Sequence, residues 1–536
     1  MHRRQRGLLK LVATAGLVGS VYASLRANDW DLHAIGLVRF GRAAITVGQI
    51  SWDYQRSLYW SGLVAGTAEY DRLKSEVHQR GADRLLRLCC ANRGCFIKVG
   101  QHLGALDYLI PAEYVRTLRI LHSRAPQTPL HELLALLSTE LGVKASDVVA
   151  EVDPEPLGTA SLAQVHRARL TDGSTVALKI QHPTVLANSF VDMKTMEVLV
   201  RLVAWVFPDF ELMWLAEETK KNLPRELDFS QEAKNAERVA DMFKHFAWLR
   251  VPKVRWDLTT SRVLTMEYCD GGQVNDPDYL HTHGISPREV SQKLGKLYSE
   301  MIFEKGYIHC DPHPGNLLVR KNDGGNVEIV LLDHGLYTTL PDKLRWSYSR
   351  FWLSILSGDL VSMEREGGRL GVGRLYGLLA CMVAGRSWQA ITTGLDKQKL
   401  TEAEEGTIKE EVSRYLPEIA AVLNKVPREL LLIFKTNDLL RGIDYSLGTK
   451  GSMTSLLTMC ECCVRSVYGE RYQRCESTPG RLAVLATQHW TLLKIKIYEV
   501  YLRVLHSPLG QRLAELWSGW GSVRSPLYQP AVIPEA

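Results

Sequence analysis

The chain has 536 residues, of which 46% are hydrophobic and 23% are charged, a composition that indicates a folded globular protein and not a disordered one. The length indicates two or more domains. The formal net charge is only +6, and no lysine/arginine block alternates with aromatic residues, which argues against nucleic-acid binding and leaves room for a weak attraction to anionic lipid.

The cysteine pattern argues against a secreted disulfide framework. Ten cysteines are scattered through the chain without the spacing of such a framework, so we expect them to be mostly reduced thiols. Cys460, Cys462 and Cys463, with Cys475 nearby, form the densest group. Their spacing does not fit a zinc finger or ribbon, and semi-buried thiols on a helix are the preferred interpretation.

The N-terminal segment is basic and then apolar. Four cations precede an apolar run from Leu11 to Leu25, and no acidic residue occurs before Asp29. These features are typical of an import signal or an anchor, although the run is shorter than the roughly 20 residues of a comfortable bilayer span. We predict residues 1–28 to be a targeting segment or membrane anchor, with a secretory signal peptide as the alternative.

The first β-rich region follows helical patterns at residues 29–148. A strand-turn-strand pattern at residues 156–164 contains small residues that let backbone N–H groups approach a phosphate. The run Thr175–Ile180 then places Lys179 as the single cation on an apolar strand. Lys179 resembles the lysine of protein kinases that pairs with nucleotide phosphates and a helix glutamate. A surface lysine on an edge strand is the alternative.

The end of a later apolar strand, Met266–Cys269, runs into Asp270–Gly272. Backbone groups at such a strand end could hold an adenine ring, so we predict that Glu267 and Tyr268 contact adenine. An ordinary strand terminus is the alternative.

The most informative segment runs from His309 to Asn316, reads HCDPHPGN and is followed by DHG at residues 333–335. Phosphoryl transfer requires a carboxylate that orients the attacking hydroxyl and oxygen ligands that hold Mg²⁺ on the nucleotide phosphates. Asp311 fits the first role. Asn316 and Asp333, the acid of a DHG where protein kinases have DFG, fit the second. Asp, Asn and Gly also crowd ordinary loops, but the motifs together favour the catalytic interpretation.

A hairpin is predicted between the two metal-ligand candidates. Residues 316–319 and 327–332 have the pattern of strands, and residues 322–326 are rich in turn-forming Asn, Asp and Gly. Such a hairpin would bring Asn316 and Asp333 together.

The region after Gly335 departs from conventional protein kinases. It contains no APE motif and no room for a long activation segment, so peptide docking is not supported. Helical apolar spacing covers Leu353–Leu370 and Arg428–Leu440. Lys435, with Asp438 and Arg441, could face the site, but we interpret these residues as a charged helix face.

The order of these motifs resembles that of the UbiB family of kinase-like proteins, also called aarF-domain-containing kinases. The shared elements are, in chain order, KVGQ at residues 98–101, the small-residue loop at 156–164, Lys179, ELD at 226–228, HCDPHPGN and DHG. The resemblance covers residues 90 to 350. Within the family the chain is most similar to the animal aarF-domain-containing kinase 1 branch, through residues 99–108, 271–276 and 432–442.

The resemblance implies an α+β, two-lobed protein-kinase-like fold with an N-terminal helical extension and a helical C-terminal tail. The implied segments after residue 28 are a helical extension at 29–148, an N-lobe at 149–272, a C-lobe at 273–465 and a tail at 466–536. Lys98 and Gln101 of the extension, with Asp228, are expected to gate the site and to obstruct a peptide groove.

The resemblance also implies a nucleotide site for ATP or ADP with Mg²⁺. Glu226 is the first choice for the acid that pairs with Lys179, and Glu232 is the second, because one sequence does not fix the register of the helix. The expected nucleotide-binding residues are Pro156, Leu157, Gly158, Thr159, Ala160, Ser161, Gln164, Lys179, Glu267 and Tyr268. Many relatives carry alanine at the position of Gly158, so glycine is expected to loosen the loop and to favour ATP.

The function implied by the resemblance is a mitochondrial, inner-membrane-associated, Mg²⁺-dependent ATPase or a phosphotransferase that acts on a lipid or small molecule and supports lipid homeostasis and membrane organisation. The expected partners are an adenine nucleotide, a membrane or lipid and a mitochondrial protein. Two alternatives stay open. His309-x-Asp311-x-His313 also resembles the motif of aminoglycoside and choline kinases, and the chain could be a non-catalytic, nucleotide-switched scaffold.

Overall fold

The computed structural model describes residues 35–64, 66–104, 110–122, 126–207, 213–393, 416–449 and 453–505, so the predicted segment 1–28 lies outside the described residues. The chain divides into two compact units. Unit 1 consists of Met1–Lys234 and Lys253–Tyr268, and unit 2 consists of Asn235–Pro252 and Cys269–Ala536.

Unit 1 begins with a group of helices. They are α1 (Gly36–Tyr54, extended by a π-helical turn, Gln55–Tyr59), α2 (Ala68–Asn92), α3 (Cys95–Gly104), α4 (Ala112–Leu118, followed by a 3₁₀ turn, Arg119–His122), α5 (Leu130–Leu141) and α6 (Ala145–Val148). The side chain of Thr67 caps α2 by accepting a hydrogen bond from Tyr70 N–H, and Glu69 and Asp71 add negative charge to its first turn. Buried apolar residues from α1 to α4, including Ala43, Leu88 and Leu118, form the core of this group.

A five-stranded antiparallel sheet follows in unit 1. Its strands are β1 (Val149–Val152), β2 (Gly158–Thr159), β3 (Ala163–Leu170), β4 (Thr175–Gln181) and β6 (Val263–Glu267), arranged in the order β1-β3-β4-β6 with β2 paired to β3. β4 is a central strand and is buried from Val176 to Gln181. The helices α7 (Val185–Val206), α8 (Met213–Glu226) and α9 (Phe229–Met242) come between β4 and β6 in the chain, and Phe229 and Ala233 of α9 pack on Leu264 of β6.

Unit 2 contains two small sheets. The first has the strand order β5-β10-β9-β7, from β5 (Leu249–Arg250), β10 (Val327–Leu331), β9 (Leu317–Lys321) and β7 (Gly272–Gln273). The second pairs β8 (Tyr307–His309) with β11 (Tyr337–Thr339). Both lie beside the HCDPHPGN and DHG segments, so the sheets set the positions of those loops.

Helices make up most of the remaining described part of unit 2. Its described helices are α10 (Pro277–Thr282), α11 (Pro287–Ser299, extended by a π-helical turn, Glu300–Lys305), α12 (Asp342–Ser357), α13 (Leu360–Arg369), α14 (Tyr376–Ala384), α15 (Trp388–Thr393), α16 (Leu416–Lys425), α17 (Arg428–Ser446), α18 (Met453–Arg474) and α19 (Thr478–Leu505). The predicted boundary between residues 465 and 466 falls inside α18. Cys460, Cys462 and Cys463 are buried thiols on that helix. Within the part of the chain that the structure describes, no helix is both long and apolar enough to span a bilayer.

Candidate functional site

Lys179 lies on the central strand β4 of unit 1, between Val165 of β3 and Leu264 of β6, so it is not an edge-strand lysine. Its Nζ is 2.6 Å from Oε1 of Glu232, which belongs to the first turn of α9. The two side chains are only 10% and 3% exposed. The Lys179 ammonium also lies 5.3 Å from the centre of the Phe229 ring. The ammonium is therefore largely removed from water, so its electrostatic interactions with neighbouring groups are stronger than they would be on the surface.

The predicted pairing of Lys179 with Glu226 is wrong. Glu226 is the last residue of α8, and its Oε2 is 2.7 Å from Nζ of Lys98, with the two side chains 7% and 13% exposed. The chain then turns and starts a new helix at Phe229, which places Glu232 and not Glu226 beside β4. The sequence did not fix the helix register and left Glu232 as the second choice, and this second choice is the pairing in the structure.

Asp228 lies at the break between the two helices and caps the start of α9. Its Oδ1 accepts hydrogen bonds from Ser230 N–H at 3.0 Å and Ser230 Oγ–H at 2.6 Å, which is the capping arrangement of a helix N-terminus. Gln101, the other gating residue predicted with Lys98, donates from Nε2 to the Leu121 carbonyl at 3.0 Å. The Lys98–Glu226 contact thus links the KxGQ and ELD elements within unit 1, while the gating roles stay predictions.

The small-residue loop is a tight turn on the edge of the unit 1 sheet. Gly158 and Thr159 pair with Val165 and Gln164, and Ala160 N–H donates to the Ala163 carbonyl at 2.8 Å. Pro156 precedes this pair, and Leu157 is exposed, whereas Ser161 is buried. A Cβ built on Gly158 meets no atom within 4 Å.

Gln164 lies behind this loop and not on its surface. Its side chain is buried, accepts from Thr128 N–H at 2.9 Å and donates to the Thr128 carbonyl at 3.2 Å. These contacts show that Gln164 ties residue 128 to the base of the loop; direct nucleotide contact stays a prediction.

Glu267 and Tyr268 end β6, and the chain passes from unit 1 to unit 2 immediately after Tyr268. Glu267 Oε2 accepts from Lys253 N–H at 3.2 Å, and the Arg167 guanidinium lies 5.1 Å from the centre of the Tyr268 ring. Both residues are therefore fixed in unit 1, and their predicted adenine contacts stay a prediction.

Asp311 belongs to unit 2 and follows β8. Its Oδ1 accepts a hydrogen bond from Nζ of Lys435 at 3.0 Å, with the two side chains 24% and 14% exposed. Lys435 lies on α17. Because it contacts Asp311, the interpretation of this lysine as part of a charged helix face that does not face the site is wrong. Sequence reasoning listed the residue but had no signal for its partner, because the two residues are 124 positions apart.

The other two residues of that helix group behave as expected of a helix surface. Asp438 and Arg441 pair with each other, and Arg441 also donates from Nη1 to the Val383 carbonyl at 3.1 Å. Lys435, by contrast, contacts a predicted site residue.

Asn316 and Asp333 lie at the same end of the hairpin formed by β9 and β10. Leu317 pairs with Leu331, and Leu332 N–H donates to the Asn316 carbonyl at 3.0 Å, so the structure contains the hairpin that the sequence predicts. The Asn316 amide nitrogen donates to the Asp311 carbonyl at 3.2 Å, which orients the amide, and the amide oxygen stays the predicted metal-ligand atom. Asp333 Oδ1 accepts from Gly335 N–H at 2.8 Å. One carboxylate and one amide oxygen suit Mg²⁺.

Buried side chains hold the two motif loops of unit 2. Nδ1 of His309 lies 2.8 Å from the hydroxyl of Tyr298, and Nδ1 of His334 lies 2.9 Å from the hydroxyl of Tyr337. Asn235 donates to the His334 carbonyl at 2.9 Å and accepts from the Tyr307 hydroxyl at 2.8 Å. Burial lowers the pKa of His309, so the neutral imidazole is favoured. Sequence reasoning missed Tyr298, Tyr307 and Asn235, which lie outside the motifs.

Comparison with known proteins assigns a family. The family model for the ABC1 atypical kinase-like domain matches residues 120–366. An AarF domain-containing protein kinase 1 from Gallus gallus is 49% identical over 94% of this chain and 97% of its own length. An AarF domain-containing kinase 1 from Drosophila melanogaster is 48% identical over 93% of this chain and 98% of its own. The chain belongs to the ABC1/AarF family. The predicted family and its kinase 1 branch are therefore confirmed.

Membership of the ABC1/AarF family also confirms the predicted fold class, because the matched domain is kinase-like and the chain combines α and β structure in two compact units. The Mycobacterium tuberculosis structure titled "The complex structure of Rv3197-erythromycin" superposes on 70% of this chain and 94% of its own, with 21% identity and a TM-score of 0.42.

Proposed function

We propose that the chain is a mitochondrial, Mg²⁺-dependent, ATP-using member of its family that acts as an ATPase or as a phosphotransferase on a lipid or small molecule. The observation that carries the proposal is the arrangement in unit 2, where Asp311 is held by Lys435 and Asn316 lies with Asp333 at one end of a hairpin. This set matches the carboxylate and the two oxygen ligands that phosphoryl transfer requires.

Each site residue has a separate chemical task in this proposal. In unit 1, Lys179 would pair with nucleotide phosphates, as the resemblance to the family implies. In unit 2, Asn316 and Asp333 would hold Mg²⁺, which would neutralise charge on phosphate oxygens. Asp311 accepts the proton of a water or substrate hydroxyl as its oxygen forms a bond to the γ-phosphorus. The bond from the γ-phosphorus to the bridging oxygen breaks, and ADP leaves with that electron pair. Lys435 orients Asp311 and keeps positive charge beside it.

The mitochondrial and lipid parts of the proposal rest on the sequence. The basic and apolar segment at residues 1–28 has the pattern of an import signal or anchor, and the resemblance to the family implies mitochondrial lipid homeostasis and membrane organisation as the output.

The test is ATP consumption by the full chain, with and without Mg²⁺ and cardiolipin-containing liposomes. We expect Mg²⁺-dependent turnover that Asp311→Asn lowers about 100- to 10,000-fold while the nucleotide Kd changes little, as for loss of a general base. Asp333→Asn should remove the metal-dependent part of nucleotide binding. The matched control is Asp323→Asn, at an exposed turn of unit 2. Nucleotide binding without turnover would favour the scaffold alternative, and no nucleotide binding would refute the proposal.

A cavity in unit 2 favours a small molecule as one candidate acceptor. It has a volume of about 190 Å³, and its lining includes the rings of Tyr298 and Trp352 and the carboxylate of Asp444. Ser291 donates to Asp444 at 2.6 Å, and burial raises the pKa of this carboxyl. The aromatic rings and Asp444 favour a small organic cation, the substrate type of the choline-kinase-like alternative, whereas Arg441 in the same lining and the raised pKa of Asp444 oppose one.

The cavity predicts a distinct assay result. ATP consumption should rise on addition of choline or a similar small organic cation, and Asp444→Asn should abolish the rise but leave basal turnover unchanged. If no such cation stimulated ATP consumption, lipid or water would remain as the acceptor.

A further inference from the structure

Two neighbouring helices of unit 1, α1 and α7, expose large apolar side chains. They range from 46% to 80% exposed, whereas large apolar residues are normally buried or scattered singly. The set comprises Leu37, Ile45 and Trp52 on α1, and Leu186, Phe190, Val198, Leu202 and Trp205 on α7. A surface of this kind marks an interaction site.

The exposed residues lie on one side of the helix pair. The two helices run alongside each other in the same direction, since Arg39 pairs with Asp192 near their starts and Tyr54 lies 6.0 Å from Phe207, ring centre to ring centre, near their ends. At about 100° per residue, residues 190, 198 and 205 lie within about 80° of one another around α7 and form its exposed stripe, with residues 186 and 202 on the two sides of that stripe. Ala43 on α1 and Leu199 on α7 are buried in one common core, which directs both exposed stripes away from it.

The exposed charge on this surface is mainly positive. The acidic residues of the two helices are shielded: Asp192 is 1% exposed and Asp53 is 14% exposed. The third, Glu197, is 18% exposed and accepts from Arg201 and Lys220. The cations Lys194 and Arg201 are more exposed, at 54% and 65% of their side chains, and although both pair with Glu197, the group that they form with Lys220 is net positive.

We infer that the outer face of α1 and α7 docks on an anionic lipid bilayer, with Trp52, Phe190 and Trp205 at the headgroup level and Lys194 and Arg201 beside lipid phosphates. Aromatic and aliphatic side chains next to cations are the features of a peripheral membrane face. A protein partner would have to cover the same apolar stripe and supply its own acidic groups. This inference rests on the membrane association in the proposed function.

The order of the chain supports a bilayer as the occupant. The apolar run of the predicted anchor ends at Leu25, and α1 begins at Gly36, 11 residues later (36 − 25). Eleven residues reach at most about 40 Å even when fully extended. If the first segment enters a bilayer, α1 is therefore held within a short distance of the same bilayer.

The experiment uses the full chain on liposomes of phosphatidylcholine with and without cardiolipin, in which brominated acyl chains quench nearby tryptophans. We expect the quenched fraction of fluorescence to fall in Trp52→Phe and Trp205→Phe relative to wild type, because these variants lack a lipid-contacting ring. Trp388→Phe is the matched control, since Trp388 is 36% exposed in unit 2. We expect stronger quenching with cardiolipin, and weaker quenching at high salt.

A second pair of variants tests the outer face of α1 and α7 without removing a tryptophan whose fluorescence is measured. Val198→Glu should reduce quenching by placing a carboxylate among the lipid phosphates, whereas Val361→Glu, at a 75% exposed position of α13 in unit 2, should not. Thermal unfolding of both variants checks that they fold.

Three outcomes would count against the inference, and they separate its failure from that of the proposed function. Liposome flotation with no change in quenching in any of these variants would mean that another part of the chain contacts lipid. Shielding of Trp205 without lipid, together with a larger assembly in solution, would mean that a protein surface covers the face. Absence of flotation would refute membrane association itself, and Mg²⁺-dependent turnover measured on the same samples tests the enzymatic part independently.

Discussion

Lys179 in unit 1 and Asp311 in unit 2 are both held by an ion pair, but the two pairs differ in their surroundings. The Lys179–Glu232 pair is 10% and 3% exposed, whereas the Lys435–Asp311 pair is 14% and 24% exposed. A buried pair that loses one partner leaves a desolvated charge, while a partly hydrated pair loses only a modest attraction. We therefore expect loss of the Lys179–Glu232 pair to cost more stability, and loss of the Lys435–Asp311 pair to act mainly on the orientation of the proposed catalytic carboxylate.

The largest effect on stability is expected for Lys179→Met. This variant leaves Glu232 buried without its cation, and we expect a loss of about 3–5 kcal/mol in the free energy of opening of the β3–β4 region. Native-state hydrogen exchange of β4 amides measures this energy. Arg169→Met is the matched control in the same sheet, because Arg169 and Glu151 are 59% and 65% exposed, and it should cost less than about 1 kcal/mol.

A double variant sharpens this result. Lys179→Met with Glu232→Leu replaces the whole pair by apolar side chains and should recover most of the lost stability. If the double variant were as unstable as the single one, the loss would come from packing around β4 and not from the unpaired carboxylate.

The next effect is on turnover and is expected for Lys435→Met. Asp311 would lose the ammonium that orients it, and we expect kcat to fall by up to about 100-fold with little change in nucleotide affinity. Thermal unfolding should move little, because the pair is partly exposed. Steady-state kinetics with Lys435→Arg, which keeps the charge, should show partial recovery, and Lys425→Met, an exposed lysine at the end of α16, is the matched control.

A double variant distinguishes a role of Lys435 that acts through Asp311 from a purely structural role. If Lys435 acts through Asp311, adding Lys435→Met to Asp311→Asn should cause no further loss of turnover. Additive losses, or equal losses in Lys435→Arg and Lys435→Met, would contradict the proposed role.

A gain of phosphate incorporation is expected for Lys98→Ala. The Lys98–Glu226 pair links α3 to the end of α8, and the resemblance to the family implies that the KxGQ element blocks a peptide groove. Autophosphorylation, measured with labelled ATP, should appear when the pair is broken, and Gln101→Ala, which removes the hydrogen bond to Leu121, should act in the same direction but less. Unchanged incorporation in both variants would refute the gate.

The smallest effect is expected for Gly158→Ala. The added Cβ meets open space, so stability should be unchanged or slightly higher. If glycine loosens the loop, the ratio of ATP to ADP affinity should shift by a few-fold towards ADP, as measured by titration calorimetry. If the ratio of ATP to ADP affinity were the same in wild type and Gly158→Ala, residue 158 would not set the nucleotide preference.

The sequence by itself determined the family, the fold class and the identity of the motif residues. The order of KVGQ, Lys179, HCDPHPGN and DHG is a local pattern in the chain, and the hairpin between Asn316 and Asp333 follows from strand and turn preferences over fewer than 20 residues. Such features are readable because nearby residues and backbone preferences suffice to specify them.

Only the tertiary structure decided which charges meet. Asp228 caps α9 at the break between two helices, and Glu232 and not Glu226 reaches Lys179. The approach of Lys435 to Asp311 depends on the packing of α17 against the rest of unit 2, across 124 residues of chain. Partner choice between distant charged residues is set by burial and helix packing, and neither leaves a local mark in the sequence.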